Sequence, residues 1–287
     1  MARPANTDVS REVAIAVREI AGRYGPLYVQ ELMLPRLLQH LPPAERSEQT
    51  ARAALCDPLT CLRVIFGEYT FARRGKERHD LAAIAVEALK RATREGDFLT
   101  KEDAVCVWEE FENVCFDRNQ KPQEQLNRGA VQGLPELAQE IVKEGGCGSI
   151  ALWIVDAARR TGRIESQFMR MVELRGVGPK LSSLILRDVV YLFNLEDRIE
   201  PMDRLYFQPI DRWSRVVADF VVEDYEDAAD WILAGKLSKI ARRSGASGTM
   251  FNMGVTYYGT RVVHTAEQFA AGLNDMVIEK TVIAKGA

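Results

Sequence analysis

Residues 171–180 read MVELRGVGPK and contain a glycine-rich turn between two apolar segments. Gly176 and Gly178 permit positive φ angles and let another molecule approach the backbone closely, because neither carries a Cβ atom. Pro179 suits the first turn of a helix, where its missing N–H would have no partner. Apolar residues recur at helical spacing on both sides of the turn, at Phe168, Met171, Val172, Leu181, Leu184, Ile185, Leu186 and Val189. The sequence therefore predicts two helices over about residues 164–193, joined by a tight turn.

The segment around this turn has a local excess of positive charge. Between residues 159 and 187 only Glu165 and Glu173 oppose the basic side chains, which gives a local net charge of +5 in a chain of net charge −3. The basic residues are Arg159, Arg160, Arg163, Arg170, Arg175, Lys180 and Arg187. Outward-facing amides at the start of the second helix would add a site for a phosphate group. The alternative interpretation is a plain helix corner with a glycine cap, and the turn alone indicates binding rather than catalysis.

The rest of the chain shows helical rather than alternating periodicity, so we expect an all-α fold. Pro42–Pro43 marks a candidate boundary and predicts residues 1–49 as an N-terminal helical extension or part of a first lobe. In this scheme residues 50–275 form the main domain and residues 276–287 a C-terminal tail.

Several shorter patterns give further expectations. Thr100 with Asp103 has the spacing of a capping box. The polar interval 117–133 predicts a loop with a helical turn or two. Trp153 and Trp231 lie in apolar helical stripes, which favours a core position for both. The basic pair Arg73–Arg74 either extends a phosphate-binding surface or forms a solvated face.

Composition excludes several classes of protein. Five cysteines without a C-x-x-C pair argue against a disulfide framework or a tetrahedral zinc site, and the three histidines are scattered. We therefore expect no metal. The N-terminal residues lack the apolar core of a signal peptide, and no apolar run is long enough to span a membrane. These observations predict a cytoplasmic protein with reduced thiols and no membrane partner.

A second informative segment, residues 199–208, reads IEPMDRLYFQ. Asp203 follows a Pro-Met pair at the start of an apolar stretch, and taken alone it is best explained as a helix N-cap. Its position downstream of the glycine turn adds a second interpretation.

The two segments together resemble the helix-hairpin-helix glycosylase superfamily, which includes endonuclease III and the 8-oxoguanine glycosylases. Residues 174–180 and 201–205 occupy the places of the family's L-P-G-V-G-x-K and P-V-D-T-H segments. The resemblance implies a two-lobed helical fold in which Lys180 takes the place of the nucleophilic lysine and Asp203 that of the essential aspartate. It also implies that the hairpin binds DNA, through Arg175, Gly176, Val177 and Gly178.

Weaker similarities extend the resemblance to about residues 57–259. The segment 57–70 is similar to an early family helix that ends in a residue wedged into the duplex, which points to Tyr69. The segment 251–259 is similar to the last helix of the fold.

Four departures separate this chain from the family pattern. Arg175 stands where the hairpin usually has proline, and Arg204-Leu205 replaces the usual Thr-His. The interval of 23 residues from Lys180 to Asp203 is longer than usual, so we expect a bulging loop around 195–200. No four-cysteine motif follows the last helix, which implies a member without an iron–sulfur cluster and with no cofactor.

The resemblance implies a DNA glycosylase that flips a modified or damaged base out of double-stranded DNA and excises it. Asp203 would stabilise positive charge at C1′. Lys180 would attack C1′ and form a Schiff base, giving AP-lyase activity, with a phosphate contact as its alternative role. We expect a monomer, associated with the nucleoid in a bacterium. The alternative from another class is a non-catalytic helix-hairpin-helix DNA-binding protein in a repair or defence complex.

Overall fold

A computed structural model describes residues 9–39, 47–71, 78–93, 105–222 and 227–286. Every regular element in these ranges is a helix and none is a β-strand, which confirms the all-α prediction. No helix among them is long and apolar enough to cross a membrane. The predicted boundary at Pro42–Pro43, the capping box of Thr100 and Asp103, and the pair Arg73–Arg74 lie outside the described residues.

The helices follow one another closely along the chain. In order they are α1 (Arg11–Glu19), α2 (Gly25–Tyr28), α3 (Leu34–Leu38), α4 (Glu48–Cys56), α5 (Pro58–Val64), α6 (Arg78–Ala92), α7 (Val105–Asp117), α8 (Glu124–Lys143), α9 (Ile150–Thr161), α10 (Glu165–Glu173), α11 (Pro179–Leu192), α12 (Arg212–Val221), α13 (Asp230–Arg243), α14 (Gly248–Tyr257) and α15 (Ala266–Gly286). Wider π-helical turns at Ile20–Tyr24, Val29–Met33, Ile65–Thr70 and Tyr258–Val262 prolong some of them, and Glu196–Arg198 and Arg204–Phe207 are short 3₁₀ turns.

The chain divides into two compact units, of which unit 1 combines Met1–Met33 with Glu200–Ala287 and unit 2 is Leu34–Ile199. This division differs from the predicted scheme of 1–49, 50–275 and 276–287. The reason is that N-terminal helices pack on the C-terminal third of the chain, a non-local pairing that one sequence does not display. Residue 276 lies inside α15, so the expected tail boundary falls within a helix.

Aromatic side chains fill much of the core of unit 1. The ring of Tyr24 lies 4.8 Å from that of Tyr258, and Trp213 stacks on Phe269 at 5.6 Å between ring centroids. Trp231, at the start of α13, is instead 67% exposed, so the predicted core position is wrong for this residue. The first turn of α13, residues 230–232, is exposed, so the ring lies on the surface.

Unit 2 contains one helix where the sequence predicted a loop. Helix α8 begins at Glu124, so much of the polar interval 117–133 is helical. Its exposed face is joined by i,i+4 contacts, from Arg128 to Glu124 at 2.7 Å and from Gln132 to Glu136 at 2.7 Å, which stabilise a helix modestly. The opposite face is buried through Ala130, Val131, Leu134, Leu137, Ala138 and Ile141. The polar composition of its first turns reflects this solvent-facing side.

Candidate nucleic-acid interface

The glycine-rich segment forms a turn between two helices at the predicted positions. Helix α10 ends at Glu173, α11 begins at Pro179, and residues 174–178 between them are called the Gly176 turn. The turn is closed by a hydrogen bond from the Val177 amide to the Leu174 carbonyl at 2.9 Å. Gly176 has φ +94°, as expected, whereas Gly178 has φ −73° and needs no glycine for its backbone conformation.

Helix α8 holds the Gly176 turn in place through its own small residues. A Cβ atom added to Gly129 would lie 2.4 Å from the Arg175 carbonyl oxygen, and one added to Gly133 would lie 3.1 Å from the Leu174 side chain. These glycines, four residues apart, therefore allow the turn to lie directly on the helix. Sequence reasoning missed this support because it assigned Gly129 to a loop, although the i,i+4 glycine spacing was a visible signal.

Gly176→Ala is expected to lower the free energy of unfolding by about 2–4 kcal/mol, as judged by urea titration. The positive φ disfavours any Cβ atom, and here that atom would also lie 3.2 Å from the Leu126 carbonyl oxygen and 3.3 Å from the Ala130 Cβ. Gly145→Ala is the matched control, since Gly145 has φ +87° but no atom within 4 Å of the added Cβ. In Gly145→Ala only the cost of the positive φ angle, about 1–2 kcal/mol, should remain. Equal losses of unfolding free energy in the two variants would contradict a contribution from contacts of the added Cβ atom with Leu126 and Ala130.

The start of α11 presents backbone donors that have no internal acceptor. Within the described residues the amides of Gly176, Gly178 and Lys180 donate no hydrogen bond. Gly176 and Lys180 are exposed, and Gly178 is half-buried. Donors of this kind at the N-terminus of a 14-residue helix can bind an anionic group, because the helix dipole favours negative charge there.

A cavity of about 380 Å³ adjoins the turn within unit 2. Its apolar wall comes from leucines, and its polar groups include the two cationic side chains Arg175 and Lys180. The lining residues are Tyr69, Thr70, Gln125, Leu126, Arg175, Gly176, Gly178, Lys180, Leu181 and Leu184. The structure thus brings five of the predicted site residues, Tyr69, Arg175, Gly176, Gly178 and Lys180, to one place.

Tyr69 lies in the wall of this cavity and does not project from the surface. Its side chain is 5% exposed, and its hydroxyl donates a hydrogen bond to Asp188 Oδ2 at 2.8 Å. Asp188 Oδ1 in turn accepts from Arg187 Nε at 2.9 Å and Nη2 at 2.8 Å. This position does not suit the expected wedge, which has to protrude in order to enter a base stack.

Val177 also differs from its expected role as a DNA contact. Its side chain is fully buried, and its amide is used within the turn. Val177 therefore anchors the turn from inside and leaves external contacts to its neighbours.

The positive charge available near the turn is smaller than the sequence suggested. Arg163 pairs with Glu165 at 2.8 Å, and Arg187 is buried with Asp188. Arg170 contacts two carboxylates of α8 and the residue after it, Glu140 at 2.7 Å and Glu144 at 3.0 Å. Of the seven basic residues between 159 and 187, those that are exposed and have no ion pair within the described part of the chain are Arg159, Arg160, Arg175 and Lys180. The last two lie at the cavity.

The side chain of Lys180 is exposed to solvent and lies in the cavity lining. A ligand that fills the cavity would exclude water from it.

Asp203 belongs to unit 1, whereas Lys180 belongs to unit 2. Asp203 is 1% exposed. Its carboxylate does not cap the 3₁₀ turn Arg204–Phe207 that follows it. The N-cap interpretation is therefore wrong for the side chain. The backbone of Asp203 takes part in local turns, donating to the Glu200 carbonyl at 3.0 Å and accepting from Tyr206 at 3.1 Å.

The extra residues after α11 form an ordered loop, where the sequence predicted a bulge. The Leu195 amide donates to the Val190 carbonyl at 2.9 Å, and a 3₁₀ turn spans Glu196–Arg198. Leu195 and Ile199 are both buried, so they fix the loop on either side of that turn.

The described residues contain no group of three or more side chains placed to bind a metal ion. All five cysteines are free thiols. Comparison with protein-family models, curated protein sequences and solved structures finds no significant match to this chain.

Proposed function

We propose that this protein binds double-stranded DNA through the Gly176 turn and acts as a DNA glycosylase with associated AP-lyase activity. The observation that carries the proposal is the placement of Lys180 beside exposed, unpaired amides at the edge of a cavity. The resemblance of residues 174–180 and 201–205 to the glycosylase segments supplies the catalytic part of the proposal.

The binding step uses the turn as a phosphate site. A DNA phosphate would accept hydrogen bonds from the amides of Gly176 and Gly178, while Arg175 adds a charge-assisted contact. Such contacts fix the position of the duplex but do not read its sequence. Leu126 is half-exposed and lies next to Gly176, so we assign to it the wedge role that buried Tyr69 does not fit.

The chemical step joins Lys180 to the sugar. Deprotonated Nζ attacks C1′ as the N-glycosidic bond breaks, and the base leaves with the bonding electron pair and gains a proton. By the family resemblance, the carboxylate of Asp203 would stabilise the positive charge that develops at C1′. Opening of the sugar ring gives a Schiff base, from which loss of a C2′ proton expels the 3′ phosphate by β-elimination.

Borohydride trapping on an abasic-site duplex tests this proposal without a guess about the target base. The aldehyde of the abasic sugar condenses with Nζ of Lys180 and releases water, and borohydride then reduces the C=N bond to a stable amine. We expect wild-type protein to form a covalent adduct visible on a denaturing gel, and Lys180→Gln to form none.

Lys121→Gln is the matched control, because Lys121 is another exposed lysine of unit 2 that is absent from the cavity lining. The Lys121→Gln protein should form the covalent adduct as efficiently as the wild type. An adduct that survives in Lys180→Gln would overturn the nucleophile assignment. Absence of an adduct in the wild type, with duplex binding retained, would favour the non-catalytic DNA-binding alternative.

A further inference from the structure

A second cluster of reactive groups lies in unit 2 where α4 ends and α9 begins. The buried hydroxyl of Ser149 donates to the Leu55 carbonyl at 2.6 Å and joins the two segments. Cys56 directly follows Leu55, and Cys147 precedes Ser149 by two residues. The same hydrogen bond therefore brings together two cysteines that are far apart in the sequence.

Both thiols reach solvent, and a positive charge lies near Cys56. Cys147 is exposed and Cys56 partly exposed. Burial raises the pKa of Cys56, the charge of Cys147 raises it further, and the nearby guanidinium group of Arg159 lowers it. The hydrogen bond from Ser149 to Leu55 places both cysteines at the same corner of unit 2.

The backbone around Cys147 is suited to small adjustments. Gly145 and Gly148 have φ +87° and +81°, a region that glycine occupies without strain. A disulfide needs Cα atoms about 4.4–6.8 Å apart. Cys56 and Cys147 would have to meet that spacing beside the Ser149–Leu55 hydrogen bond.

We propose that Cys147 and Cys56 form a reversible disulfide when the protein meets a peroxide. The Cys147 thiolate attacks one oxygen of hydrogen peroxide, the O–O bond breaks, and a sulfenic acid forms while the other oxygen leaves as hydroxide, which takes a proton from solvent to give water. The Cys56 thiol then attacks the sulfenic sulfur, an S–S bond forms, and a second water leaves. Two thiols are oxidised and one peroxide is reduced, and a dithiol reductant reverses the change.

The two buried cysteines are not suited to this chemistry. Cys61 is fully buried, and burial raises its pKa to about 11. Cys115 is also buried, with its pKa raised to about 11 chiefly by burial. Both stay as thiols near neutral pH, and a buried thiol reacts poorly with a dissolved oxidant. Cys106 lies on α7, in a different part of the sequence.

Limited hydrogen peroxide followed by peptide mapping under non-reducing conditions tests this proposal on the full chain. We expect the wild type to lose the mass of two hydrogen atoms, with one linked pair of peptides containing Cys56 and Cys147, and to regain that mass with dithiothreitol. In Cys56→Ser the sulfenic acid on Cys147 should persist and react with dimedone. In Cys147→Ser no internal disulfide should form.

Cys106→Ser is the control and should oxidise as the wild type does. A linked pair containing Cys61, Cys106 or Cys115, a disulfide only between two chains, or stable sulfinic acid on wild-type Cys147 would overturn the proposal. None of these readouts depends on DNA, so failure here is distinguishable from failure of the proposed function.

Discussion

Asp188→Ala is expected to lower the free energy of unfolding by about 3–5 kcal/mol. Asp188 and Arg187 are both 1% exposed and share two hydrogen bonds. Removing the carboxylate takes away the negative charge that Asp188 places against the buried guanidinium and the acceptor of the Tyr69 hydroxyl. Urea unfolding monitored by circular dichroism gives the difference directly.

The matched control is Glu165→Ala, which breaks the pair with Arg163. That pair is 42% and 49% exposed, so its loss should cost at most about 1 kcal/mol. A second comparison replaces both buried partners, as Arg187→Met with Asp188→Leu, and should recover much of the lost stability because no buried charge remains. If Asp188→Ala is as stable as Glu165→Ala, the buried pair of Arg187 and Asp188 does not stabilise the fold more than the exposed pair does.

The local parts of the fold could be predicted from the sequence. Helix α11 begins at Pro179 and the turn before it has positive φ at Gly176, as the residue types alone require. These features depend on steric limits within a few residues, so neighbouring positions in the sequence are enough to predict them. The first half of α8 was assigned to a loop because its stability depends on burial of one face, which is visible only in the folded chain.

The site was harder to predict, because its properties depend on distant partners. Arg170 was counted in the local positive charge, but α8 and the residue after it supply Glu140 and Glu144 to neutralise it. Tyr69 was assigned to the surface, but Asp188, more than a hundred residues away, holds it in the cavity wall. The sequence gives the chemical types at a site, whereas packing decides which of them remain exposed.

Asp203→Asn is expected to slow base excision by about 10²–10³-fold. The substitution keeps the size of a side chain that is 1% exposed but removes the negative charge proposed to stabilise C1′ as the base departs. The measurement is single-turnover release from duplexes that each carry one modified base, on whichever duplex the wild type cleaves. Borohydride trapping on a preformed abasic site should be largely retained, because no glycosidic bond remains to be broken there.

The control for this variant is Asp211→Asn in the same unit. Asp211 caps α12 by accepting a hydrogen bond from the Ser214 amide at 2.8 Å, and asparagine caps a helix about as well as aspartate. This control should therefore excise as the wild type does. If both variants lose excision equally, or if Asp203→Asn also loses trapping on the abasic site, then Asp203 maintains the fold and does not stabilise the departing base. Loss of excision alone would show that the charge of Asp203 acts while the glycosidic bond breaks and is not needed when Lys180 condenses with an abasic aldehyde.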